Sequence, residues 1–162
     1  MRQSLRGGSY SLIDKNYNPC VDYWVSVLYK RLVGTEVLKV SGFLEFNRTV
    51  RTYAHCVKSG NSYGYTADKT VVLFVLNLND ADIEIKFSGS LNNTLLQVDV
   101  FQFTSATGDL KSGLVKLNGK VLEMLDDNFL PDLEPVQMKQ PFVLPALSYA
   151  FFVAESDTVK CS

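Results

Sequence analysis

The chain has 162 residues, a formal net charge of −1 and 46% apolar residues, enough for a packed core and against wholesale disorder. The balanced charge excludes a nucleic-acid-coating protein, which carries a marked positive excess, while leaving room for a local basic patch that meets an acidic ligand. No apolar run reaches the length of a membrane span, the longest being the strand-sized "VVLFVLNL".

Met1 leads into Arg2, Arg6 and paired glycines rather than an apolar signal-peptide core. "MRQSL" reads as the tail of a strand, and "RGGSYSLID" as a loop. Asn18 and Pro19 suit a helix start, as cap and first-turn residue. Val21, Trp24, Val25, Leu28 and Leu32 then fall on one face of a helix of roughly four turns, with Gly34 as its stop.

After Gly34 the apolar period changes to two. "VRTYAHCV" (50–57) alternates, and "TVVLFVLN" (70–77) is apolar on both faces, as in a central strand covered twice. "DIEIKF" (82–87) alternates cleanly. "LLQVDVFQF" (95–103) changes face near Val100–Phe101, which predicts a bulge. "VKLNGKVLEML" (115–125) is a hairpin turning at Asn118-Gly119. Pro131, Pro135, Pro141 and Pro145 mark a long loop before the last strand, "ALSYAFFVA" (146–154). The expectation is a mainly β fold, a sheet-on-sheet domain of about eight strands. A strand end, loop and helix standing before it cannot bury both their sides. They read as the last βα unit of a larger α/β domain whose earlier units precede this chain.

Few residues offer chemistry. In a (β/α)8 barrel the opening loop would lie on the C-terminal face, where active sites sit. There Gly7 and Gly8 would admit a ligand close to the backbone, and Tyr10 would lend a hydroxyl. On residue types alone the same loop is ordinary glycine punctuation. His55, the only histidine, shares a strand face with Arg51 and Tyr53 and lacks a nucleophile motif, so it reads as structural. Asp126-Asp127 is an adjacent carboxylate pair, but neighbours leaving a hairpin diverge, so these read as turn residues. Arg48, Arg51 and Lys58, with Lys30 and Arg31, would attract a sulfated or carboxylated polymer, although solvated surface is the plainer reading.

Cys20, Cys56 and Cys161 fit no zinc spacing and form no CxxC, and no metal site or cofactor is expected. A bridge from Cys56 to Cys161 would tether the terminal segment and leave Cys20 over, yet sequence fixes no pairing. The sequons at Asn47 and Asn92, with a possible disulfide, point to a secreted chain. A leader upstream of Met1 would reconcile that with the missing signal peptide.

Taken together, "MRQ" with "GGSY", "NPCVDYWVSVLYKRLVGTEVL", "RTYAHC", "LFVLNL", "KSGLVKLNGKVLEMLDD", "LPDLEP", "LPALSYAFFV" and the terminal cysteine resemble the C-terminal part of the heparanase family, glycoside hydrolase family 79. They come in family order and span nearly the whole chain. The resemblance implies a secreted, extracellular-matrix or lysosomal endo-β-glucuronidase acting on heparan sulfate, built as a (β/α)8 barrel followed by a C-terminal β-sandwich. It places residues 1–36 as the last strand–loop–helix unit of the barrel and 37–162 as the sandwich, and implies a Cys56–Cys161 disulfide. It implies that Gly8 and Tyr10, with Gly7 beside them, hold a uronate carboxylate, although the loop is slightly shorter than the family form. The family's two catalytic glutamates, an acid/base and a nucleophile, lie on earlier barrel strands, so no catalytic residue is expected here. Expected partners are heparan sulfate, the upstream barrel and, peripherally, cell-surface proteoglycans. Non-catalytic family members that bind heparan sulfate are the alternative. A stand-alone sandwich module is a further one, in which the helix stripe would be an exposed apolar patch.

Overall fold

A computed structural model describes residues 4–7, 11–41, 48–88, 97–126 and 129–161. Among the described residues one helix, α1 (Val21–Leu32), is followed by ten strands: β1 (Val33–Leu38), β2 (Val50–Val57), β3 (Thr70–Asn77), β4 (Ile83–Ile85), β5 (Val98–Ser105), β6 (Val115–Leu117), β7 (Lys120–Val121), β8 (Val136–Met138), β9 (Phe142–Leu144) and β10 (Ser148–Glu155). All the strand pairings are antiparallel. Eight strands form one sheet in the order β1-β2-β3-β10-β5-β6-β7, with β8 also on β5, while β4 and β9 make a separate two-stranded sheet.

The large sheet is buried on both faces. One face sets Val71, Leu73 and Val75 of β3 and Ala150 and Phe152 of β10 against Ile85, Phe142 and Leu144 of the small sheet and Phe87 just beyond β4. The other sets Phe101, Phe103, Phe151 and Val153 against Trp24, Leu28 and Leu32 of α1. The result is three layers: small sheet, large sheet, helix. Asn77, fully buried at the end of β3, donates from Nδ2 to the carbonyl oxygens of Ala81, Leu144 and Pro145 at 2.9, 3.2 and 2.8 Å and so fastens the small sheet to the large one. Among the described residues no helix is long and apolar enough to cross a membrane.

Several expectations are corrected. The helix stripe is no exposed patch: Trp24, Leu28 and Leu32 are at most 1% exposed, because the aromatic face of β5 and β10 needs a cover. Asn18 does not cap the helix; Cys20 occupies that position without a side-chain cap, since Asn18 is taken up by Asp14 and Pro19 pairs with Ile13. Gly34 is no helix stop. It lies within β1, where a Cβ would come 2.7 Å from the Cys56 carbonyl oxygen, so glycine is required by close strand approach. β5 has no bulge: it pairs residue for residue with β10 from Asp99 to Phe103, and the apparent change of face arises because both faces are covered. The proline-rich loop contains two short strands, β8 and β9. Residues 4 and 5 are not in a strand; the local pairing is a single parallel bridge from Arg6 to Ile13. Apart from these corrections, residues 36 and 37, on either side of the expected division, both lie in β1.

Candidate functional site

The opening loop folds around Ile13. Ile13 N–H donates to the Leu5 carbonyl at 2.9 Å, and Gly7 N–H donates to the Ile13 carbonyl at 3.2 Å. On the other side Ile13 bridges to Pro19, and Cys20 N–H donates to Leu12 O at 2.8 Å, so the loop is tied directly to the start of α1. Gly7 has φ of +71°, a left-handed conformation natural to glycine, and its carbonyl accepts from Ser4 Oγ at 2.6 Å. Its N–H is therefore committed within the loop. Gly8 and Tyr10 lie outside the described residues.

The far side of the loop is organised by Asp14, which residue types alone did not flag. Asp14 Oδ1 accepts the backbone N–H groups of Asn16 and Asn18, each at 2.8 Å. The Asn18 backbone N–H is the main cause holding the Asp14 carboxyl below its ordinary pKa. The pattern Asp14-Lys15-Asn16-Tyr17-Asn18 before a proline carries the signal of such a turn. Tyr17 takes φ of +68° within it, and its 64% exposed ring is covered on one side by the Arg6 guanidinium, 3.8 Å from the ring centroid. A groove of about 820 Å³ separates this turn from the exit of the β6–β7 hairpin; Tyr17, Tyr23, Leu114, Leu122, Glu123 and Met124 are among its walls.

Cys56 and Cys161 form a disulfide, 105 positions apart in sequence, whereas Cys20 keeps its thiol at the head of α1. The bridge lies in the wall of a cleft of about 740 Å³ that Lys30, Lys58, Glu36 and Asp68 also line. Lys58 Nζ donates to the Lys30 carbonyl at 3.2 Å, close to the C-terminal end of α1. Arg48 and Arg51 stand exposed at the opposite end of β2, about 20 Å away by strand rise. The basic residues thus fall into two groups rather than one patch.

His55 Nδ1 donates to the Gly34 carbonyl at 3.0 Å, locking β2 to β1 in the structural role its sequence setting suggests. Asp126 Oδ1 accepts Phe129 N–H at 2.9 Å as a turn residue; Asp127 is outside the described residues, as are the sequon asparagines Asn47 and Asn92. Tyr65 donates to Asp99 Oδ2 at 2.6 Å, and burial, then that bond, raises the pKa of its hydroxyl. Among the described residues no group of three or more His, Cys, Asp or Glu side chains could hold a metal ion.

No family model matches the chain. Curated relatives do. Heparanase from Bos taurus is 37% identical over 163 residues, covering 98% of this chain and 29% of its own length. Heparanase from Gallus gallus is 38% identical over 157 residues, covering 94% and 29%. Inactive heparanase-2 from Homo sapiens is 36% identical over 160 residues, covering 92% and 26%. This chain is heparanase-like. It spans little more than a quarter of the length of the curated relatives it matches. The similarity is that of a heparanase-like C-terminal fragment. The similarity runs through the loop, helix and sheets alike, since it leaves out at most a few residues in a hundred of this chain against the bovine protein.

Proposed function

We propose that this heparanase-like chain is the C-terminal part of a retaining endo-β-glucuronidase that hydrolyses heparan sulfate in a secreted, matrix-associated or lysosomal setting. The observation that carries the reading is the 37% identity to bovine heparanase along 98% of the chain. In this reading the loop and α1 complete a (β/α)8 barrel, and the sheets from β1 onward form the sandwich that braces it. Retaining hydrolysis needs two carboxylates about 5 Å apart, one to protonate the leaving oxygen and one to attack the anomeric carbon. Both belong to the portion that precedes this chain. Gly8 N–H and Tyr10 hydroxyl hold the uronate carboxylate at the rim. Gly7 serves differently: its N–H is already taken by Ile13, so it shapes the turn that presents them. Asn47 and Asn92 carry glycans, and proteoglycan chains bring the protein to the cell surface.

The test is to clone the transcript through its 5′ end and to assay the full-length protein for cleavage of end-labelled heparan sulfate. Shortening of the polymer supports the reading, and loss of cleavage on replacing either upstream glutamate completes it. The 36% identity to human inactive heparanase-2 favours a second reading, a non-catalytic protein that binds heparan sulfate. Binding without cleavage, with no glutamate pair upstream, would select it. In the active protein Tyr10→Phe should weaken uronate-containing substrates by about tenfold to a hundredfold, the loss of one hydrogen bond to a charged group. Its Tm should be unchanged. An unaltered KM would remove Tyr10 from the site.

A further inference from the structure

The Asn118-Gly119 turn does more than reverse the chain. Its φ values, +49° and +82°, are those of a tight hairpin turn of the kind that asparagine and glycine favour. The Asn118 side chain points across the sheet to the outer edge of β5. That edge is shared by two short strands: β6 pairs with Phe103 to Ser105, and β8 with Val98 to Val100. Between them the backbone groups of Gln102 have no strand to meet. Asn118 fills the gap. Its backbone N–H donates to the Gln102 carbonyl at 2.8 Å, and its Oδ1 accepts the Gln102 N–H at 2.9 Å. Its Nδ2 donates to the Val100 carbonyl at 2.9 Å and to the Glu134 carbonyl, just ahead of β8, at 3.1 Å. The side-chain amide stands in for a missing peptide unit, because like a peptide it carries its acceptor and its donor on separate atoms of one planar group.

We propose that Asn118 is a site of spontaneous deamidation, gated by opening of the β6–β7 hairpin, whose product cannot reclose the edge of β5. The chemistry is that of the asparagine–glycine pair. The Gly119 backbone nitrogen loses its proton and bonds to Asn118 Cγ; the Cγ–Nδ2 bond breaks and ammonia leaves with that proton. Water then opens the cyclic imide at either carbonyl, giving aspartate or isoaspartate, with no change of oxidation state. A Cβ at Gly119 would have nothing within 4 Å, so the turn is open to solvent. What restrains the reaction is the hold on the amide: Cγ cannot turn toward Gly119 while Oδ1 and Nδ2 keep their three bonds. Once the amide is lost, an acceptor oxygen faces the carbonyls of Val100 and Glu134, and the isoaspartate form also lengthens the backbone of a two-residue turn.

The full-length protein is incubated at mildly alkaline pH, native and in denaturant, and the peptide containing position 118 is mapped for aspartate and isoaspartate. The expected result is a native rate at least about tenfold below that of the unfolded chain. The modified fraction, separated by charge, is expected to melt about 5 °C or more below the unmodified one. Equal rates in the two states would overturn the gating, and equal melting temperatures would overturn the role of the amide. The Asn118→Asp variant should repeat the lowered Tm; where it fails to fold, the aged protein gives the same reading.

Discussion

A methyl group added at Gly34 would meet the backbone oxygen of Cys56 at 2.7 Å and that of Val57 at 3.1 Å. Both contacts are to main chain, so no side chain can swing away, and β1 must shift from β2 to admit the substitution. Gly34→Ala is expected to destabilise by about 1–3 kcal/mol, the usual cost of overpacking. In denaturant titration the midpoint should fall with the slope unchanged. An unaltered midpoint would mean that β1 already has slack, which its register irregularity between Val33 and Val37 makes a fair challenge. The residue also shows what sequence conceals. A glycine after an apolar helical stripe satisfies the rule for a helix stop, and nothing in the one-dimensional pattern reveals that a carbonyl from a strand 22 positions later lies against it. His55 carried the opposite lesson. Lacking a partner motif it reads as structural, and its bond to the Gly34 carbonyl gives that role a definite form.

The turn from Asp14 to Asn18 has its own pH dependence. The Asp14 carboxylate is held below its ordinary pKa, chiefly by the backbone N–H of Asn18. A depressed carboxylate contributes stability above its unfolded pKa and loses it as pH falls through the folded one. The turn should therefore be intact at neutral pH and loosen only below the ordinary carboxylate range. In amide NMR, Asn16 and Asn18 should titrate together in that acid window and stay still above it, and Asp14→Asn should abolish the titration. Movement of these amides near neutral pH would assign control to another group. Such a turn was readable only in part. The stripe of α1 and the central strands β2 and β3 stand out because long periodic segments outweigh local exceptions. The three-residue strands β8 and β9 are too short for any period and sit among prolines, so their pairing partners, not their residues, make them strands. The start of α1 is hidden for a related reason: Asn18 has the right chemistry for a cap, but Asp14 already engages its backbone and side-chain N–H groups.

Across the molecule, the loop and the sheets end up in one folded unit because α1 shares its core with β5 and β10 and because the last residues are bolted to the second strand. The candidate rim was legible only through resemblance; Gly7 has its N–H turned inward, and no periodicity announces which of its neighbours would touch a ligand. The bolt is a different matter, and its strength can be estimated. Closing 105 positions between Cys56 and Cys161 removes loop freedom from the unfolded chain. That is about 4–5 kcal/mol in the chain-entropy model for a loop of this size. Cys161 also donates its N–H to the Asp68 carbonyl at 2.9 Å, and Val159 packs against the core, so without the bridge the terminus keeps only these weaker holds. Cys161→Ser should lower the Tm of the full-length protein by about 8–20 °C, at about 2–4 °C for each kcal/mol in a domain of this length. Reductant should bring the wild type down to the mutant and leave the mutant where it is. A smaller loss in a larger protein would mean that the preceding portion already confines these ends. Equal melting of mutant and wild type in the absence of reductant would show that the terminus needs no covalent tie, and the stability of the fold would then rest on the two buried faces of the large sheet.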